Sequence, residues 1–352
     1  MANGALEDNA LNIYPDNSII LAPLSGHSDM PYRNSARRFG CRFAFTEMID
    51  AGSLVFGNEK ALRYLDKSPA DSDWLGAQLV GSEVDVLSKA TQILNRHDFS
   101  VIDFNLGCPA PKVSRKGEGA ALGQKLEEAL RAFEAIKKEA AVPVTAKIRI
   151  LDEKDAASTV RLAKALEDAG AEALTVHGRI KSAFYSGPVF HDIISAVRSE
   201  LHIQVIANGG VMGHPDYLKI KDKTGCDCVM VARGAMGNPW LFRELQDFEN
   251  YQPPSAEELA EEMKRHVYEN IEYYGETLAL KVSRKTILDY MRGRGFAGCL
   301  KKNVSFLIKK EDFDSFVDEV KIGQSYRYWN WLSGFEYAER MMRPNEQDGQ
   351  AL

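Results

Sequence analysis

The hydrophobic pattern of the chain changes character once. From Ser18 to about residue 245, short apolar runs alternate with longer amphipathic stretches. The runs fall at 18–24, 43–48, 74–80, 101–106, 142–148, 173–177, 203–207 and 228–232. They are rich in Val, Ile, Leu and Phe, as strands covered on both faces of a parallel sheet should be. Between them Leu126, Leu130, Phe133 and Ile136 recur at helical spacing. A helix over 155–169 stops at Gly170, placed as its C′ residue. Asp29 is placed to cap the first helix, with Pro31 near its first turn. Eight strands and their helices predict an α/β fold, a (β/α)8 TIM barrel, which typically takes ~250 residues. A doubly wound open sheet would carry a glycine-rich turn after its first strand. Here that turn reads Pro23-Leu24-Ser25-Gly26-His27.

Beyond Trp240 the strand signal stops. Pro253 and Pro254 mark a linker, and Ser255 with Glu258 reads as a capping box. Leu259, Met263, Val267, Ile271 and Tyr274 form one helical stripe, and Phe313, Phe316, Val317 and Val320 another. The expected organisation is a flexible leader over 1–17, the barrel over 18–245, a small C-terminal all-helical domain over 250–341 and a disordered tail over 342–352.

Composition narrows the class. The 352 residues are 45% hydrophobic and 27% charged, with a mean hydropathy of −0.30. No apolar run is long enough to span a bilayer. The polar, acidic start lacks the features of a signal peptide, so a cytoplasmic location is expected. The five cysteines are scattered, without metal-ligand spacing, which argues for reduced thiols and no metal. Cys226 and Cys228 read as core residues. The net charge of −6 counts against nucleic acid, but the basic residues cluster. Arg33, Arg37 and Arg38 follow strand one, and Lys112, Arg115 and Lys116 follow strand four. Arg179 and Lys181 follow strand six. Lys281, Arg284, Lys285, Arg292 and Arg294 lie in the helical segment. A polyanion bridging the barrel mouth and that segment would meet all four groups. Tyr326, Tyr328, Trp329 and Trp331 read as packing of the last helix.

Active sites of such barrels lie at the C-terminal ends of the strands. The polar residues there are Ser25, Glu47, Gln78, Asn105, Cys108, Lys147, Arg149, His177, Asn208 and Arg233. Asn208-Gly209-Gly210 and Ala232-Arg233-Gly234 follow the last two strands, where barrels commonly hold a phosphate. Glycines there admit close backbone approach, and Arg233 adds a charged fork. A phosphate site together with Lys147, His177 and Gln78 suits a flavin mononucleotide across the barrel top. Cys108 sits in a Gly-Cys-Pro turn, with Pro109 and Pro111 stiffening the loop. A free thiol has a pKa of ~8.5, so it is protonated near neutrality and can act as an acid. A nucleophilic role would need an adjacent base, and no clear Cys/His/Asn set is present.

These motifs resemble the tRNA-dihydrouridine synthases. The matching pieces are Ala22-Pro23-Leu24-Ser25-Gly26 through Arg33, the Gln78 strand and Asn105-Leu106-Gly107-Cys108-Pro109 through Val113. Lys147 with Arg149, Val176-His177-Gly178-Arg179 and the two glycine loops complete them. The resemblance covers 18–245 and, more loosely, the helical segment. It implies an FMN cofactor, NADPH as reductant and tRNA as substrate. It would place FMN on Pro23, Leu24, Ser25, Gln78, Lys147, His177, Asn208, Gly209, Gly210, Ala232, Arg233 and Gly234. Cys108 would be the general acid, with Asn105, Lys147 and Arg149 bordering the uracil. Lys112, Arg115, Arg179, Lys281, Arg284 and Lys285 become candidate tRNA contacts, and a monomer is expected. Glu118 stands where the family usually shows Ala. The helical segment matches only in outline, which leaves the target uridine open. The rivals are an FMN barrel acting on a free pyrimidine, of the dihydroorotate dehydrogenase type, and an RNA-binding protein on a catalytically dead barrel.

Overall fold

The computed structural model describes residues 12–324. Eight parallel strands close into a barrel in chain order. They are β1 (Ile19–Leu21), β2 (Phe43–Asp50), β3 (Gly76–Val80), β4 (Val101–Leu106), β5 (Val144–Arg149), β6 (Ala173–His177), β7 (Gln204–Asn208) and β8 (Cys228–Val231). The helices that position the site are α1 (Met30–Arg38), α2 (Val84–Leu94), α3 (Leu126–Glu139), α4 (Ala157–Asp168), α5 (His191–Glu200), α6 (His214–Thr224) and α7 (Leu241–Gln246). The barrel expectation holds, and so do the local signals. Asp29 Oδ1 accepts from Tyr32 N at 3.0 Å, and Gly170 takes a φ of +92° just after α4.

Alternation along each strand sorts residues into two cores. On β4, Ile102, Phe104 and Leu106 face the helices and join the large outer core. The intervening positions Val101, Asp103 and Asn105 point into the barrel. Inside, Ile20, Phe43, Phe45, Val101, Ala173, Ile206 and Cys228 fill the lower layer. Gly76 makes room for Phe45, since a Cβ there would stand 2.4 Å from that ring. Cys226 and Cys228 are buried, as expected.

Tyr14 falls within the flexible leader expected over 1–17, of which residues 12–17 are among the described residues. Tyr14 is only 2% exposed and packs edge-on against Phe43 at 5.3 Å. Its N–H donates to Gln204 Oε1 at 3.1 Å, and Gln204 Nε2 donates back to Tyr14 O at 2.8 Å. An aromatic ring at the open lower end of the barrel buries more apolar area than a solvated tail would.

The C-terminal part is helical: α8 (Ala256–Tyr274), α9 (Glu276–Met291), α10 (Gly298–Asn303) and α11 (Lys310–Lys321). The expected capping box at Ser255 and Glu258 is present. The core of this region also takes in Phe39 and Trp240 from the barrel segment. Residues 325–341, with Tyr326, Tyr328, Trp329 and Trp331, lie outside the described residues.

The contact between the two parts corrects one expectation. Arg33, Arg37 and Arg38 do not face the mouth as a cationic patch. Arg33 is 1% exposed and pairs with Asp71 at 2.9 Å. Its Nη1 donates to Ser28 O at 3.1 Å, and the paired Nη2 also donates to Asp66 O at 2.9 Å. Arg37 reaches the same carboxylate. Arg38 pairs with Glu262 and Glu269 of α8, each at 2.7 Å. Burial works to raise Asp71, but the arginines hold its carboxyl below the usual range. Tyr274 OH donates to Asp29 Oδ2 at 2.7 Å across the same seam. At Gly237 (φ +60°) a Cβ would stand 2.2 Å from Tyr290 N, so α9 rests directly on the loop after β8.

Asp71→Ala would strand the buried Arg33 guanidinium. The expected loss is about 3–5 kcal/mol of unfolding free energy, read by urea denaturation. A loss below about 1 kcal/mol would show that water or Arg37 rearrangement compensates.

Candidate active site

The upper ends of the strands enclose a cavity of about 320 Å³. Cross-strand register sets its wall. Gln78 lies opposite Asp103, Asn105 opposite Lys147, Arg149 opposite His177 and His177 opposite Asn208. Because side chains alternate with period two, a one-residue slip would turn each of these groups outward.

Two hydrogen-bond chains fix the polar side chains, and their directions follow from the backbone groups that end them. In the first, the Gly107 and Cys108 N–H groups donate to Asn105 Oδ1 at 3.1 and 2.9 Å. Asn105 Nδ2 therefore points the other way and donates to Gln78 Oε1 at 2.8 Å. In the second, Asn208 Nδ2 donates to Met230 O at 2.7 Å. That leaves Asn208 Oδ1 to accept from Lys147 Nζ at 2.8 Å. Asn105 thus holds the Cys108 loop from below, and Asn208 holds Lys147.

The Cys108 loop is clamped from its far side too. Its carbonyl accepts from Ala120 N at 2.9 Å. Gly119 takes a φ of +59°, and a Cβ there would lie 2.8 Å from Cys108 O. Arg149 Nε donates to Gly107 O at 2.7 Å, and its Nη1 donates to Phe184 O at 2.7 Å. Arg149 thereby ties the β4 loop to the loop after β6. Burial pushes the Cys108 thiol upward, with Glu118 adding to it, while the Ala110 N–H, Arg149 and Lys147 work against it. The net upward shift favours the protonated thiol at neutral pH.

The rest of the wall is short of negative charge. Burial brings Lys147 down to about 7, and Arg149 adds to the effect. Burial, Lys147 and the neighbouring arginines keep His177 neutral. Burial and Arg233 bring Arg179 down to about 10. Four basic side chains thus face one cavity without an anion among its lining residues. Such an arrangement favours an anionic ligand.

The loops after β7 and β8 supply a cradle. Gly209 and Gly210 have φ values of +133° and +74°. A Cβ on Gly209 would press on His177 Cδ2 at 3.0 Å. A Cβ on Gly234 would stand 2.4 Å from Val211 O, so that glycine lets the two loops touch. Backbone N–H groups and the Arg233 fork at such a site are suited to a phosphate.

The dihydrouridine synthase family model matches residues 20–324. The chain belongs to this family. It is 34% identical over 282 residues to "tRNA-dihydrouridine synthase B" of Pasteurella multocida, covering 79% of this chain and 84% of the relative. A "Probable tRNA-dihydrouridine synthase" of Rickettsia conorii is 33% identical, with 80% and 86% covered. The B-type protein of Shewanella oneidensis is 32% identical, with 78% and 86% covered.

In this chain, Pro23, Leu24, Ser25, Gln78, Asn105, Cys108, Lys147, Arg149, His177, Arg179, Asn208, Gly209, Gly210, Ala232 and Arg233 all line one cavity. Gly234 is buried and not among the lining residues. Lys112 and Arg115 are exposed beside the Cys108 loop, while Lys116 pairs with Asp50 at 2.5 Å. Lys281 and Lys285 are exposed on α9. Lys285 Nζ stands 3.0 Å from where a Gly26 Cβ would be, over the first βα loop. Arg284 separates from them and turns inward to Leu307 O at 3.1 Å. Arg294 likewise reaches Gly237 O at 2.9 Å.

Tyr185 escaped the sequence reading. It is 50% exposed and lies 5.4 Å from Arg149 and 5.7 Å from Arg233, centroid to guanidinium. The residue before it, Phe184, has a φ of +49°, a conformation that non-glycine residues seldom hold without local constraint. An aromatic just ahead of Gly187, in a loop without helical or strand pattern, was the available signal. His27, Met48, Met212 and Met236 also line the cavity.

Proposed function

We propose that this protein reduces the C5–C6 double bond of a uridine in tRNA to dihydrouridine, with FMN as cofactor and NADPH as its reductant. The observation that carries the reading is a protonated thiol on a clamped loop, facing a cationic cavity with a glycine cradle at its other side. The family relation supports the tRNA substrate, because the relatives' names state it. The residues fit a flavin mononucleotide: only glycine leaves the β7 loop open beside His177, and Arg233 lies at the same end.

When bound, FMN supplies the hydride that C6 receives. The chain's own residues do the rest. Gly209, Gly210 and Arg233 hold the phosphate, and Gln78, Lys147 and His177 border the ring system. A cation at Lys147 stabilises the charge of the reduced cofactor. Asn105 and Arg149 border the uracil. Cys108 holds the proton destined for C5. Its loop, fixed at both ends, keeps the Sγ from withdrawing. The uridine must leave the base stack to enter, since the cavity lies below the rim. Lys112, Arg115, Lys281 and Lys285 are the exposed cations that meet the RNA backbone. Arg179 belongs inside the cavity with the cofactor, and Arg284 supports α9.

Cys108→Ala is expected to retain FMN and tRNA binding and to lose dihydrouridine formation by at least about a hundredfold. Mass spectrometry of treated tRNA measures this, and near-normal turnover would remove the acid role. Reversing charge with Lys281→Glu and Lys285→Glu should weaken tRNA binding about tenfold or more at low salt. Flavin reduction by NADPH should be unchanged in the same protein. Unaltered tRNA affinity would place the RNA on another face.

Bound FMN should favour protonated Lys147, whose folded-state value without cofactor is about 7. Arg149, Asp103, Cys108 and His177 are the titratable or charged groups around it. Affinity of the flavin-free protein is therefore greatest below that value. It falls as pH rises from 7 to 9, by at most about tenfold per unit. Flavin fluorescence titrations measure the slope, and a flat profile would remove Lys147 from the cofactor contact.

A further inference from the structure

The first hydrogen-bond chain does not end at Gln78. Gln78 Oε1 accepts from Asn105, so its amide nitrogen faces inward and donates to Asp103 Oδ2 at 2.7 Å. Asp103 Oδ1 accepts from Thr145 Oγ1 at 2.7 Å. Asp103 is 1% exposed, beneath the cavity and above the apolar lower layer. Both carboxylate oxygens are acceptors here, and each amide along the chain has one orientation only.

We infer that Asp103 is a positioning residue: its carboxylate supplies the acceptor on which the Gln78–Asn105 chain ends and thereby holds the Cys108 loop in its presented geometry. This deepens the function proposed above and rests on it only where turnover is the readout. The physical argument is one of donors and acceptors. Two backbone N–H groups at one end demand an acceptor, namely Asn105 Oδ1. Each amide converts an acceptor on one side into a donor on the other. Two amides in series therefore require an acceptor at the far end, which Asp103 Oδ2 supplies. Burial raises Asp103 to about 6, while Gln78, Thr145 and Lys147 pull it down. If position 103 offered an N–H toward Gln78, two donors would face each other. Turning Gln78 over would pass the conflict to Asn105, and turning Asn105 over would strand the N–H groups of Gly107 and Cys108.

The test uses the full-length protein and the alkylation rate of Cys108 by iodoacetamide, resolved from other cysteines by peptide mass spectrometry. Asp103→Leu keeps the shape of the side chain and removes the acceptor, leaving the Gln78 amide nitrogen without a partner. It should change the Cys108 rate roughly tenfold, the equivalent of one lost buried hydrogen bond. Turnover on tRNA should fall with it while the KM for tRNA stays unchanged. Asp103→Asn retains an acceptor, because its Oδ1 can face Gln78 while its Nδ2 donates to Thr145 Oγ1, and should leave the rate within about twofold. Wild-type reactivity in Asp103→Leu overturns the inference, and so does an Asp103→Asn effect as large as that of Asp103→Leu. If Asp103→Leu does not fold, Gln78→Leu cuts the same chain one step up and decides by itself: it should reproduce the change in the Cys108 rate, and an unchanged rate overturns the inference. Altered Cys108 reactivity with no dihydrouridine made by the wild-type protein would sink the proposed function and leave this inference standing.

Discussion

Closure of the barrel in a single register is the constraint from which the site follows. Each strand pairs with both neighbours, so no strand can slide without shifting the rest. Alternate residues then have no choice of face. Val101, Asp103 and Asn105 of β4 must enter the interior, as must Thr145 and Lys147 of β5. The interior is apolar at its base and polar toward the mouth. The depth of a residue along its strand thus decides whether it packs, supports or meets ligand. Asp103 stands one inward position below Asn105, which is why it supports rather than lines the cavity.

Backbone groups do much of the electrostatic work. The orientation of Asn105 is dictated by the N–H groups of Gly107 and Cys108, and that of Asn208 by the carbonyl of Met230. Side-chain amides placed this way behave as fixed dipoles and need little reorganisation when charge develops beside them. The surplus of cations in the cavity has the opposite character. Lys147, Arg149, Arg179 and Arg233 repel one another and are partly desolvated, a cost that an anionic ligand relieves. This mutual repulsion and the proposed affinity for a phosphate-bearing cofactor are one property.

The C-terminal helices are joined to the barrel by polar contacts of several kinds. Arg38 with Glu262 and Glu269, Tyr274 with Asp29, and Arg294 with Gly237 tie α8 and the turn after α9 to α1 and to the loops after β1 and β8. Both loops border the cavity. The helical region therefore holds Lys285 at a set height above the first βα loop rather than swinging across it.

The sequence by itself determined the barrel, because strands buried on both faces and separated by amphipathic helices have few other closed arrangements. It also located the strand-end residues, since alternation and chain order fix which end each occupies. Caps at Asp29 and Ser255 were legible for the same reason, their partners lying three residues away. Charge fate was not legible. Arg33, Arg37, Arg38 and Arg284 read as surface cations, yet Asp71, Glu262, Glu269 and the Leu307 carbonyl claim them from distant parts of the chain. Tyr14 and Tyr185 escaped likewise, one closing the barrel floor and the other lying between two arginines of separate strands. Spacing reports neighbours along a helix or strand; which carboxylate meets which guanidinium is decided only when the barrel closes and the helices settle on its rim.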